Sequence, residues 1–218
     1  MQDKKGHDAR AIANLIIKEH GKQDRWLTAW SLSQLIYIAH GRCLACTGSP
    51  LIKDDIRAWE YGPVIPNVYW EFVKKGLKVK DEATFGPFWN KKKFSANISD
   101  EELSIIKDVV SNYSNMEYYE LTDMLSRPGT PWVSLARSHQ IIPNEEIKKY
   151  YENIIKNKLP DGYFDKNTPI LSRHAATLTP RNYDEKIKAI TAHNLQVNIM
   201  LRIYGVNRPK QPKFNQGR

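Results

Sequence analysis

Two cysteines in 218 residues are too few for a disulfide framework, and no apolar run approaches the roughly eighteen residues that a membrane-spanning helix needs. The opening Met-Gln-Asp-Lys-Lys-Gly-His is charged with no apolar stretch behind it, so it does not read as a secretory signal. These absences predict a cytoplasmic protein, without membrane contact, that is held together by its core. Phosphate-cradling glycine loops of the forms G-x-x-x-x-G-K-[ST] and G-x-G-x-x-G are missing, and so are H-E-x-x-H and G-x-S-x-G. The six histidines, at 7, 20, 40, 139, 174 and 193, are scattered. No catalytic residue, metal site or cofactor is expected, and the chain reads as a protein that is not an enzyme.

What is present describes one main globular domain: 41% hydrophobic residues, 26% charged residues and enough length for a single good core. The net charge of +9 is uneven. Residues 1–100 hold 16 Lys+Arg against 11 Asp+Glu, residues 101–160 hold 7 against 9, and residues 161–218 hold 10 against 4. The positive excess therefore sits at the two ends, where it serves solubility or meets an acidic partner or nucleic acid.

The apolar period is mostly helical. A helix is expected from Asp8 to Glu19, and a second from about Thr28 to Thr47, apolar on both faces and so buried near the centre, stopped by Gly48 and Pro50. Ile56 to Tyr61 alternates like a short strand ending at Gly62-Pro63, and Pro66 opens a helix with Tyr69, Phe72 and Val73 facing inward. A hairpin or loop follows, and Ser99 with Glu102 forms a capping box for a helix through Tyr113. Further helices are expected around 117–125, after a Thr130 cap with Pro131 in the first turn, and from Pro143-Asn144 onward, the last carrying Ile147, Tyr151, Ile154 and Ile155. Residues 159–182 read as a connector, 183–205 as an amphipathic helix and 206–218 as a basic tail expected to be disordered alone.

Two clusters invite chemistry. Cys43 and Cys46 form a C-x-x-C three residues after His40, but they fall at the C-terminal end of a helix, where the dipole opposes a thiolate, and no second ligand pair lies near. Both cysteines are expected to be buried as small apolar groups, the rival being an enzyme acting through His40, Cys43 and Cys46. The carboxylate pairs 54–55, 101–102 and 145–146 each sit at the start of an element, where negative charge serves a helix dipole or a turn.

The stretch Ala-Trp-Glu-Tyr-Gly-Pro-Val-Ile-Pro-Asn-Val-Tyr-Trp, residues 58–70, is a stiffened turn bearing four aromatics. Trp59, Tyr61, Tyr69 and Trp70 have the profile of interface anchors, and the same rings would equally serve by packing on the second helix.

Leu-Ser-Gln-Leu-Ile-Tyr-Ile-Ala-His-Gly-Arg-Cys-Leu-Ala-Cys-Thr-Gly-Ser-Pro-Leu (32–51), Ile-Arg-Ala-Trp-Glu-Tyr-Gly-Pro-Val-Ile-Pro-Asn-Val-Tyr (56–69), Glu-Leu-Thr (120–122) and Thr-Pro-Trp (130–132) together resemble the Panacea domain. This is the GepA-like and SocA-like family of phage and mobile-element proteins. The resemblance departs at His40, where the family commonly has Gln, and at Cys43 and Cys46, where larger apolar residues are usual. It implies an antitoxin of a toxin–antitoxin system that neutralises a cognate protein toxin, encoded by a neighbouring gene, through direct protein contact. Its motif positions here are Gln34, Tyr37, Trp59, Tyr61, Gly62, Pro63 and Pro66.

The expected architecture is mainly α. A compact multi-helix domain over residues 8–158 carries a small β element, followed by the connector, the C-terminal amphipathic helix and the basic tail. Partner binding is placed on Trp59, Tyr61, Gly62, Pro63, Pro66, Tyr69 and Trp70 together with the last helix. The alternative is a nucleic-acid-binding regulator, with weak contact through the basic tail, or a phage counter-defence protein.

Overall fold

The computed structural model describes residues 5–21, 27–60, 62–73, 79, 81–87, 90–116, 118–136 and 138–161. Six α-helices run through these residues: α1 (Ala9–His20), α2 (Ala29–Thr47), α3 (Pro66–Val73), α4 (Asp100–Tyr113), α5 (Tyr118–Leu125) and α6 (Asn144–Lys156). Two small antiparallel hairpins accompany them, β1 (Arg57–Trp59) with β2 (Gly62–Val64), and β3 (Thr84–Phe85) with β4 (Lys92–Lys93). The fold is thus mainly α with a small β component. The expected helix over 183–205, the tail 206–218, most of the connector and Tyr61 lie outside the described residues.

α2 is the axis of the molecule. It packs against all five other helices and against β2, and every residue from Ala29 to Gly41 is buried, which explains why both of its faces are apolar. Thr28 opens it with a capping box: its hydroxyl accepts from Ser31 N–H at 3.0 Å, and Ser31 Oγ accepts from Thr28 N–H at 2.8 Å. Gly41 lets α6 come close, because a Cβ there would stand 2.2 Å from the Tyr151 ring. α4 begins with the expected capping box of Ser99 and Glu102.

Buried polar groups tie the remaining elements to this axis. Asn14, on the inner face of α1, donates to Ala83 O and Phe94 O, each at 2.9 Å, and accepts from Ala83 N–H at 2.6 Å. One amide therefore satisfies three backbone groups and staples the β3–β4 hairpin to α1. Asp54 accepts from Ala9 N–H at 2.8 Å at the start of α1 and from the side chain of Asn67 in α3. Glu102 closes its cap and Glu145 and Glu146 occupy the first turn of α6, so each carboxylate pair places at least one member at a helix start.

Three expectations need correction. The segment after Trp59 does not simply end a strand, since Gly62–Val64 turns back as β2 with Arg57 opposite Val64, Ala58 opposite Pro63 and Trp59 opposite Gly62. Pro63 is tolerated there because Ala58, its partner, directs both backbone groups to the other side of β1, so no ladder bond is lost. After Thr130 only a 3-10 turn, Val133–Leu135, forms, and the Thr130 hydroxyl donates back to Arg127 O at 2.8 Å instead of capping a helix. Cys43 is buried as expected, but Cys46 is exposed in the last turn of α2, beyond the helices that cover the middle. Ile155, in the last turn of α6, is likewise 46% exposed. Among the described residues no helix is long and apolar enough to cross a membrane.

Candidate functional site

The candidate site is the aromatic corner formed by β1, β2 and the start of α3. Its inner wall is made by residues far apart in sequence. Gln34 of α2, 1% exposed, donates from Nε2 to Thr122 Oγ1 at 2.6 Å, and the Thr122 hydroxyl in turn donates to Tyr118 O at 2.9 Å. Gly62 lies against this pair: it adopts φ 122°, and a Cβ added to it would meet Gln34 Nε2 at 3.3 Å. Trp132, 3% exposed, donates from its indole nitrogen to Trp59 O at 2.9 Å. The quoted stretches 32–51, 56–69, 120–122 and 130–132 therefore converge on one buried contact set.

Outward from this wall the rings form a chain. Trp30 contacts Tyr69 at 5.1 Å and Trp59 at 6.3 Å between centroids, Trp59 meets Tyr69 edge-on at 5.2 Å, and Trp70 lies 6.0 Å from Trp59 and 5.1 Å from Tyr69. Such tilted and edge-on pairs fix ring orientation as well as burying area. Tyr69 is 4% exposed and Trp59 half-buried, whereas Trp70 is 37% exposed. Gly62 and Pro63 are buried and Pro66 is half-buried at the first turn of α3, where its missing N–H costs nothing. Tyr37 is buried in α2, away from the surface.

A third segment completes the corner. Residues 139–142 run along the outer side of β1, with Ile142 N–H donating to Ile56 O at 2.8 Å. His139 N–H donates to Ala58 O at 3.0 Å while Ala58 N–H donates to Gln140 O at 2.9 Å, so two residues stand opposite one. This is a β-bulge, and His139 occupies it in the left-handed region with φ 57°, a conformation that favours glycine. Arg57 Nη1 holds the bulge by donating to His139 O at 3.1 Å. The His139 ring stands exposed 5.8 Å from Trp59, and Ile141, two residues on, is 45% exposed.

Of the residues expected here, the structure brings Gln34, Trp59, Gly62, Pro63, Pro66, Tyr69 and Trp70 together, and among these described residues only Trp70 is exposed. Thr122 and Trp132 were visible in the motif but carried no assigned role. His139 and Ile141 had no signal at all, because an unpatterned segment some eighty residues downstream of β1 delivers them.

The His40, Cys43 and Cys46 cluster does not assemble into a site. His40 is 1% exposed, accepts from Ile52 N–H on Nδ1 at 3.3 Å and donates from Nε2 to Asn144 Oδ1 at 3.0 Å. Burial pushes its pKa down to about 4 despite the Asn144 bond, so the ring is a neutral connector between α2, the 51–52 segment and α6. Burial pushes the Cys43 thiol up, and its sulfur lies 3.6 Å from Thr47 Oγ1. Among the described residues no group of His, Cys, Asp and Glu could hold a metal ion.

Residues 32–133 match the family described as Antitoxin SocA-like, Panacea domain. The chain is also similar to Antitoxin SocA of Caulobacter vibrioides (strain NA1000 / CB15N), 42% identical over 77 residues, which are 35% of this chain and 41% of that protein. The chain thus spans about two fifths of the length of the curated relative it matches. No solved structure matches it significantly. The matched range starts in α2, contains the Gln34–Gly62–Thr122 contact and ends just past Trp132, which are the residues that close the inner wall of the corner. Residues 32–133 of this chain are therefore similar to the SocA-like Panacea domain.

Proposed function

We propose that this chain is an antitoxin that neutralises a partner protein toxin by direct, stoichiometric contact, acting as a binding protein and not as a catalyst. The observation that carries this reading is the match of residues 32–133 to the SocA-like family, with the similarity to a protein named Antitoxin SocA beside it. The contact surface is the outer side of the corner. Trp70 supplies an exposed aromatic anchor, His139 and Ile141 extend it, and Trp59 holds the rings in place from below. Rings locked by neighbours lose little conformational freedom on binding, which favours them as anchors. An interface of ordinary size covers about 800 Å² on each partner and draws on roughly 20–30 residues a side, so residues beyond the three exposed ones also take part.

The test is capture of partners on the tagged full chain in its native host, followed by expression of each captured protein alone and together with this chain. The expected result is a protein that arrests growth alone, is harmless in co-expression and forms a complex of fixed stoichiometry. Recovery of nucleic acid alone, released by salt and by deletion of residues 206–218, would replace the antitoxin reading with that of a regulator acting through its basic tail.

A further inference from the structure

Tyr37 stands at a motif position, yet it is 1% exposed and its hydroxyl oxygen has no hydrogen-bond partner among the described residues. The same is true of the Tyr151 hydroxyl and of Asp161 Oδ1. These three oxygens come from α2, from α6 and from the chain just beyond α6. The Tyr37 and Tyr151 rings meet edge-on at 6.2 Å, and Tyr151 lies over Gly41, one turn along α2 from Tyr37.

The Asp161 side chain is 1% exposed, and its Oδ2 accepts from Arg42 Nη2 at 3.0 Å. That same nitrogen lies 3.0 Å from the Tyr113 hydroxyl, while Arg42 Nη1 bonds Asp108. Burial pushes both Tyr37 and Tyr151 far above the ordinary tyrosine range, with Tyr150 and then Asp161 adding to it at Tyr37 and Asp161 and then the neighbouring phenols at Tyr151, so each is a neutral O–H donor within electrostatic reach of the carboxylate.

Native interiors rarely leave such groups unmatched, and here the donors and acceptors match one small guest. A water oxygen accepts from two phenol O–H groups, and one water hydrogen is donated to a carboxylate oxygen. We propose that one buried water molecule joins Tyr37 Oη, Tyr151 Oη and Asp161 Oδ1, binding α2 and α6 to the chain at Asp161. Tyr37 is then a positioning residue of the domain, placing α6 and the chain that leaves it, and makes no contact with a partner.

The substitutions Tyr37→Phe and Tyr151→Phe, alone and together in the full chain, keep ring volume and remove only the hydroxyls. Each single variant is expected to melt about 2–4 °C lower than the unaltered protein. The double variant should fall by less than the sum, because either loss already weakens the shared water. A high-resolution crystal structure is expected to show a single water within hydrogen-bond distance of all three oxygens. The proposal is overturned by either single variant melting at the same temperature or higher, by additive losses, or by a crystal structure in which these oxygens meet a protein group or nothing.

Discussion

On the inner side of the aromatic corner, Gln34, Gly62, Thr122 and Trp132 close on one another and on the Trp59 backbone, whereas on the outer side Trp70, His139 and Ile141 reach solvent. The inner residues lie in the quoted motif stretches and are buried, out of a partner's reach. The outer ones all lie outside those stretches, Trp70 by a single position and His139 and Ile141 altogether. A shared framework can in this way carry a separately variable surface, so that a fold alone does not name the partner.

The largest expected effect falls on the inner side. Trp132→Ala removes a buried indole and its bond to Trp59 O, and should cost about 3–5 kcal/mol in urea denaturation, with partner binding lost alongside. A loss below about 1 kcal/mol would break the distinction between the two sides.

Next comes acid. His40 is neutral above pH 6.5 whether folded or not. Between 6.5 and about 4 the unfolded ring takes up a proton that the folded ring refuses, so stability falls with pH through that window and His40 contributes no further loss below it. The loss amounts to roughly 3 kcal/mol at its fullest. His40→Gln should flatten stability across the same window, and equal acid sensitivity in variant and parent would show that His40 is not the sensor.

Gly62→Ala forces a side chain into φ 122° and against Gln34, and should cost at least about 1 kcal/mol without altering Trp70 exposure. His139→Gly works the other way. It relieves a left-handed residue and should change stability by less than about 1 kcal/mol, most of it as a gain, while weakening partner binding. A denaturation curve beside a binding isotherm separates the two effects, and a fully stable variant with unchanged affinity would remove His139 from the surface.

Much of the helical architecture was legible because its causes are local. The Ser99–Glu102 box and the apolar pattern of α2 each act within a turn or two, and each forms as expected. The return of Gly62–Val64 as a strand was not legible, since Pro63 argues against a strand until its partner Ala58 is seen to bond elsewhere. Nothing near Asn14 in the sequence foretells the backbone groups it serves near residues 83 and 94. Cys46 and Ile155 kept the apolar period past the point where other elements cover it, which periodicity alone does not register. At the site, the stiff aromatic turn was legible from composition, but which of its rings faced out was decided by α2, α5 and the 139–142 segment.

The central claim is that the corner is a rigid framework inside and a partner surface outside. Its most direct test is calorimetric titration of the captured toxic partner into the unaltered protein and into Trp70→Ala, with thermal melts of both. The account predicts that Trp70→Ala melts within about 2–4 °C of the parent and binds at least about thirtyfold more weakly. Unchanged affinity in a folded Trp70→Ala protein would contradict it and move the partner surface elsewhere.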